Sequence, residues 1–297
     1  MRIKYGTNDI NIDVTEICYA RLLNRDNNLL RIPSGDGNRA CYFGDPVYGT
    51  VKKMFIIFDD GNTIEYDDTN VININILTNS LTNIKIPTIH DLHNKLTLHH
   101  GSFNEEVPEQ EMVIKYLTGT EKVLEIGGNI GRNSLIIASI LEPNANNFVT
   151  LESDSNIADL LTHNRDLNNM QFHVERSALS NRRLIQKGWD TIPSDELLPD
   201  YNPINTITWN ELNNKYNIMF DTLVLDCEGA FYYILIDMPY ILNNISLIIM
   251  ENDYWDITHK HYIDTVLTQH NFYLDFVQGG GWGPCFNNFF EVWKRRV

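Results

Sequence analysis

From about residue 90 onward, short apolar runs alternate with mixed segments long enough to be helices, the pattern of a parallel sheet covered on both faces. KVLEI (122–126), FVTLE (148–152), FHVER (172–176), TLVLD (222–226) and SLIIME (246–251) predict five strands of that sheet. FYLDFV (272–277) and FFEVWK (289–294) follow, separated by a glycine-rich loop of about ten residues. So short a connection cannot make a parallel crossover, so these two are expected to pair antiparallel. Between the third and fourth strands lie about 45 residues that include Trp189, Pro193, Pro199, Tyr201 and Pro203. That is more than one crossover helix requires, and it predicts an excursion over the carboxyl ends of the strands.

The first 88 residues have a different texture. VKKMFIIF (51–58), the turn Asp59-Asp60-Gly61-Asn62 and TIEY (63–66) read as a hairpin, and VININIL (71–77) as a further alternating strand. No helix long enough to cross over a parallel sheet is expected here. The predicted organisation is a small β-rich domain at 1–88 followed by an α/β domain at 89–297, with a homodimer through the first domain as one possible assembly.

Composition narrows the partners. A chain of 297 residues that is 43% hydrophobic and 11% aromatic can bury a full core. The formal charge of −16 repels a phosphate backbone, so nucleic acid is not an expected partner. MRIKYGTNDI lacks the look of a secretory signal, and apolar runs such as SLIIM are far too short to span a bilayer. A cytoplasmic location without membrane association is the expectation, and the abundance of Asn and Ile is compatible with a viral origin. Cys18, Cys41, Cys227 and Cys285 form no CxxC pair, which suggests neither a zinc site nor a disulfide framework.

The candidate chemistry begins at VLEIGGNIG (123–131). Glu125 falls near the end of a strand, and Gly127, Gly128, Asn129 and Gly131 occupy the turn before a helix. Glycines there permit positive φ and close backbone approach at the carboxyl end of the sheet. The dinucleotide fingerprint GxGxxG would need glycines where this chain has Asn129 and Arg132. Glu152, about 27 residues beyond Glu125, ends the second strand, where an acid can accept hydrogen bonds from both ribose hydroxyls. A carboxylate under a cationic ligand and a second one for a ribose together suggest S-adenosylmethionine.

These segments resemble the FkbM family of S-adenosylmethionine-dependent methyltransferases over roughly residues 100–294. VLEIGGNIGRNSL (123–135) is similar to that family's acid-x-Gly-Ala/Gly-Asn-x-Gly opening, and LESDSNIADLLTHNRDLNN (151–169) to its acidic strand end and following helix. VERSALSN (174–181), TITWNEL (206–212) and LVLDCEGAFYYIL (223–235) match later steps in order. Two positions depart: Val224 stands where the family often has Lys, and Phe231 where it often has an acid. The resemblance implies a class I methyltransferase fold, a Rossmann-like sheet of five parallel strands plus an antiparallel terminal hairpin. It further implies O-methylation of a hydroxyl, commonly on a sugar or polyketide-like scaffold, with S-adenosyl-L-homocysteine as product.

An alcohol acceptor must lose its proton as the new bond forms, which calls for a base or a metal ion. Asp226 and Glu228, in the DCEG turn after the fourth strand, and Glu251, at the end of the fifth, are the candidate catalytic groups, with Asp226 also facing the cofactor. A helix N-cap role is the competing reading of the Asp226–Glu228 pair. Asn252 and Asp253 with Asp226 and Glu251 could assemble an oxygen site for a divalent cation, a possibility left open. His259 and His261 could act as base if their helix leans over the site. Cofactor contacts are expected from Glu125, Gly127, Asn129, Gly131, Asn133, Ser134, Glu152, Ser153, Ser177 and Ala178. Trp189 and Trp282 could stack on a sugar ring. The alternatives to a glycan O-methyltransferase are a non-catalytic cofactor-binding protein, or an enzyme methylating N or C of a small molecule or protein.

Overall fold

A computed structural model describes residues 1–25, 28–85, 87–142 and 144–296, and the chain divides into two units, Met1–Thr88 and Ile89–Val297. In the first unit the predicted hairpin forms between Lys53–Ile57 and Thr63–Tyr66, with Ile56 opposite Ile64. With Arg2–Gly6 and Asn11–Asp13 it makes a four-stranded sheet. A second four-stranded sheet contains Leu23–Asn24, Leu29–Ile32, Asn70–Asn75 and Ser80–Lys85. Alternation in VININ turns Ile72 and Ile74 inward, where they join Ile3, Tyr5, Leu30 and Met54 in one core. Two helices that periodicity does not announce, Thr15–Arg21 and Asp36–Phe43, complete the unit. The second carries the fully buried Arg39, whose guanidinium donates to the carbonyls of Pro33, Asp67 and Asn70 at 2.9, 2.9 and 2.7 Å.

The second unit is built on a seven-stranded sheet: β1 (Val123–Ile126), β2 (Phe148–Leu151), β3 (His173–Glu175), β4 (Thr222–Leu225), β5 (Leu247–Glu251), β6 (Phe272–Gln278) and β7 (Phe290–Arg295). Its order is 3-2-1-4-5-7-6. The first five strands run parallel, and β7 lies antiparallel between β5 and β6. This is the class I Rossmann-like sheet with its terminal hairpin. The central strands are buried along their whole length, which is why they read as unbroken apolar runs.

Helices α1 (Val107–Tyr116), α2 (Arg132–Leu141), α3 (Ser155–Leu167), α4 (Trp209–Tyr216), α5 (Ala230–Asp237) and α6 (Ile257–Gln269) flank the sheet. Local chemistry fixes their starts. Asp154 caps α3 through the amides of Asn156 and Ile157, and Thr208 and Glu211 form a capping box on α4. α1 packs on α2, β5 and β7. Phe231 is fully buried on α5, packed into the core.

The excursion between β3 and β4 is itself structured. Leu184–Lys187, Asp190–Pro193 and Asn202–Ile204 form a small antiparallel sheet, and Ala178–Leu179 pairs with Thr206–Ile207. Strand order reverses between β1 and β4, so the crevice beyond their carboxyl ends is where a ligand is expected in an open α/β sheet.

Candidate active site

The turn after β1 is held by its neighbours. The amides of Gly127 and Gly128 donate to the Leu151 carbonyl at 3.0 and 2.9 Å, and the Asp226 amide donates to the Ile126 carbonyl at 3.1 Å. Gly127 has φ +92°, and a Cβ there would sit 1.5 Å from the carbonyl oxygen of Asp226. A Cβ on Gly128 would lie 2.2 Å from the Thr150 hydroxyl. These two glycines are therefore demanded by the protein's own close packing of adjacent strand ends, whatever a ligand also needs.

Beyond this turn opens a cavity of 640 Å³, a volume suited to a nucleoside-sized ligand with an acceptor beside it. Gly127, Asn129, Glu152, Ser153, Ser177, Ala178, Asp226, Glu228 and Glu251 line it. Glu125, Gly131, Asn133 and Ser134 do not. Glu125 is 2% exposed and accepts a hydrogen bond from the Ser134 hydroxyl, so it fastens the start of α2 from beneath the turn. Burial pushes its carboxyl up to about 7, against the lowering effect of that bond. The Asn133 side-chain oxygen is buried with no partner among the described residues.

Glu152 is positioned as a hydrogen-bond acceptor. One carboxylate oxygen accepts the Asn129 amide at 2.9 Å and the other the Asp154 amide at 2.8 Å. Each oxygen keeps a further lone pair, so the fixed carboxylate can still accept from two hydroxyls. Burial raises its pKa and the two amides oppose the rise. The Ser153 hydroxyl donates to the Gln186 side chain at 3.1 Å, tying the end of β2 to the excursion. Ser177 donates to Glu175 at 2.7 Å, and Glu175 is held in turn by Lys215 and Tyr216 at 2.6 and 2.8 Å.

The opposite part of the lining is strongly acidic. Glu106 and Glu109, which precede and open α1, join Asp226, Glu228 and Glu251. Burial raises Asp226 well above the ordinary carboxylate range, and the charges of Glu106, Asp253 and Glu109 raise it further. Glu251 is pushed up to about 11 by burial, by the Asp226 charge and by a hydrogen bond with Glu109. Glu228 has φ +49°, a left-handed conformation rare for its residue type and typical of strained functional turns. The N-cap position of α5 is taken by Gly229, one residue past Glu228.

The four-residue cation site does not assemble. Asn252 is fully buried and donates to the Asn288 carbonyl at 2.7 Å, and Asp253 accepts the Gly229 amide at 2.8 Å. Neither lines the cavity. Burial beside Glu228 pushes Asp253 up to about 7. His259 stacks on Tyr232 with ring centroids 3.7 Å apart, His261 is exposed on α6, and neither lines the cavity.

Several lining residues were not singled out from the sequence. Arg182 is clamped by Asp237 through two 2.6 Å bonds and lies over the Tyr233 ring at 5.5 Å. Glu106, Glu109 and Gln186 are the others of consequence. The run NEEVPEQE (104–111), acidic and placed just before β1, was the available clue to the first two. Trp189 and Trp282 both line the cavity, and Trp282 packs against Trp255 at 4.4 Å. The ionisable acidic and basic side chains of the lining are seven carboxyl groups and one guanidinium, the latter already paired. Such a chamber favours a cation.

No family model matches the sequence, and no curated protein matches it. Among solved structures the chain is similar to an O-methyltransferase from Bacillus cereus in complex with SAH, at 16% identity and a TM-score of 0.41, covering 71% of this chain and 94% of that one. It is also similar to an O-methyltransferase from Streptomyces achromogenes involved in tomaymycin synthesis, in complex with SAM, at 12% identity and a TM-score of 0.40, covering 67% and 82%. Fibrillarin from Aeropyrum pernix, with natively bound S-adenosyl-L-methionine, shares 9% identity over 80% of this chain and 96% of that one, with a TM-score of 0.39. Among the described residues no helix is long and apolar enough to cross a membrane.

Proposed function

We propose that the second unit binds S-adenosylmethionine and methylates a hydroxyl of a small-molecule or glycan-like acceptor. The observation that carries the reading is the pairing, within one cavity, of a carboxylate fixed by two backbone amides with a cluster of buried acids. Glu152 would hold the ribose hydroxyls, and Ser153, Ser177 and Ala178 would flank the nucleoside. S-adenosylmethionine supplies a methyl group on a positively charged sulfur that is already activated for displacement. The acids Glu106, Glu109, Asp226 and Glu251 complement that charge. Glu125 acts one layer below, positioning the turn through Ser134.

Asp226 or Glu228 would take the proton of an acceptor hydroxyl. A cation in the chamber favours the ionised form of these carboxyls, whose raised pKa values make them stronger bases than a solvated acid. Trp189 and Trp282 offer indole faces for a sugar ring, and the resemblance to the FkbM family supports a hydroxyl rather than an amine as acceptor.

Calorimetry with S-adenosylhomocysteine tests the reading. Glu152→Ala is expected to weaken binding by about 10- to 100-fold, the loss of one charge-assisted hydrogen bond or more. Equal affinity in wild type and variant overturns the assignment. Labelled-methyl transfer onto a panel of glycosides and their deoxy analogues then identifies the acceptor atom.

A further inference from the structure

We propose that His99, His100 and His163 form a binding site for a zinc-class transition-metal ion, separate from the cavity. One ring nitrogen from each lies within 4.8 Å of the others, and no other group of three His, Cys, Asp or Glu side chains does so among the described residues. None of the three lines the cavity. The rings face one another edge-on, with centroids 4.7, 5.2 and 5.5 Å apart. Among the described residues no hydrogen bond occupies their ring nitrogens.

The donor set specifies the class of ion. Three imidazoles without a carboxylate suit zinc, cobalt, nickel or copper and offer little to magnesium or calcium. Around a tetrahedral zinc with bonds of about 2.1 Å, ligand nitrogens stand roughly 3.4 Å apart. The set must therefore draw in by no more than about 1.4 Å, which ring rotation of the exposed His99 and His163 can supply. Three protein ligands leave a fourth position for water.

The frame around the rings is already built. Asn164, fully buried and next to His163 on α3, accepts the backbone amides of His99 and His100 at 3.0 and 3.4 Å. One turn further, at the C-cap of α3, Asn168 accepts the Thr97 amide at 2.8 Å and donates to its carbonyl at 2.7 Å. Two asparagines thus lay 97–100 along the helix and bring ligands more than 60 residues apart in sequence to one point. The same Asn164 donates to the Ile130 carbonyl at 2.8 Å, so an ion here would also brace the turn after β1. That last consequence rests on the reading of the turn given above; metal binding does not.

The test uses the full chain, stripped with a chelator and titrated with zinc chloride by calorimetry, with cobalt absorption as a report of tetrahedral coordination. One ion per chain is expected, with affinity falling at least about tenfold in His163→Ala and in His99→Gln. Zinc should raise the melting temperature of wild type and leave both variants unmoved. No binding up to about 1 mM zinc overturns the site. So does binding that both folded variants retain, which would place the ion among the cavity carboxylates instead. Neither result touches S-adenosylhomocysteine binding, so the two proposals fail separately.

Discussion

Glu125→Gln separates a carboxylate that serves a ligand by its charge from one that anchors a turn. The Glu125 carboxyl ionises at 4.5 in the ordinary case and is held up to about 7 by burial in the fold. Below pH 4.5 it carries its proton in the folded and unfolded chain alike, and costs nothing. Between 4.5 and 7 the unfolded chain releases that proton while the fold keeps it, so stability falls as pH rises, by 1.36 kcal/mol per unit for one proton. Above 7 both states are ionised and the full penalty stands, about 3 kcal/mol. Glutamine never ionises, its carbonyl can accept the Ser134 hydroxyl, and its amide lies beside Thr150, the register partner on β2. The variant should therefore exceed wild type by less than about 1 kcal/mol near pH 5 and by up to about 3 kcal/mol at pH 8. All five tryptophans fall within the second unit, so urea unfolding followed by tryptophan fluorescence at pH 5, 6, 7 and 8 reports on that unit alone. Affinity for S-adenosylhomocysteine should stay within about threefold, because Glu125 is outside the lining. A stability difference that does not change with pH, or a variant weaker than wild type at pH 8, refutes the reasoning.

Gly127→Ala meets a carbonyl oxygen at 1.5 Å in a left-handed backbone, and chemical denaturation should show a loss of about 4 kcal/mol or failure to fold; a loss under about 1 kcal/mol would mean the turn is not packed as described. Asp226→Asn should keep S-adenosylhomocysteine affinity within about threefold and lower turnover at least about 100-fold, checked by single-turnover methyl transfer. In wild type, turnover should climb with pH as the acid cluster around Asp226 and Glu251 gives up its protons, since their pKa values are raised and the base is the ionised form. A rate flat from pH 6 to 9 would remove this cluster from the chemistry.

The sheet was legible because its strands are buried on both faces, and VLEI, FVTL, TLVL and LIIME are runs with no polar alternation to misread. The antiparallel closing pair followed from loop length alone. The short helices of the first unit were not legible. Thr15–Arg21 and Asp36–Phe43 span two turns each, too few for a 3.6-residue period to emerge, and the second starts after a glycine without a side-chain cap. What fixes that helix is Arg39 reaching three carbonyls spread over 33–70, a tertiary bond set with no local trace.

The same division runs through the site. Glu152, Ser177, Asp226 and Glu251 end or follow strands, and period and turn chemistry suffice to place them at one edge of the sheet. The roles of the acids depend instead on what lies across from them. Glu125 and Glu152 look alike in sequence, each near the end of a neighbouring strand. Glu125 is the penultimate residue of β1 and turns inward to Ser134, whereas Glu152 lies just past β2, where two amides hold it at the cavity. Glu109 matters because α1 packs on β5 and brings it to Glu251, a proximity set by helix docking. The histidine triad is the extreme case: His99 and His100 sit in a loop and His163 on a helix, and the side chains of Asn164 and Asn168 tie that loop to the helix. Strand-end chemistry is therefore readable from a single chain, while a site assembled between elements becomes visible only when the helix that carries each partner has been placed.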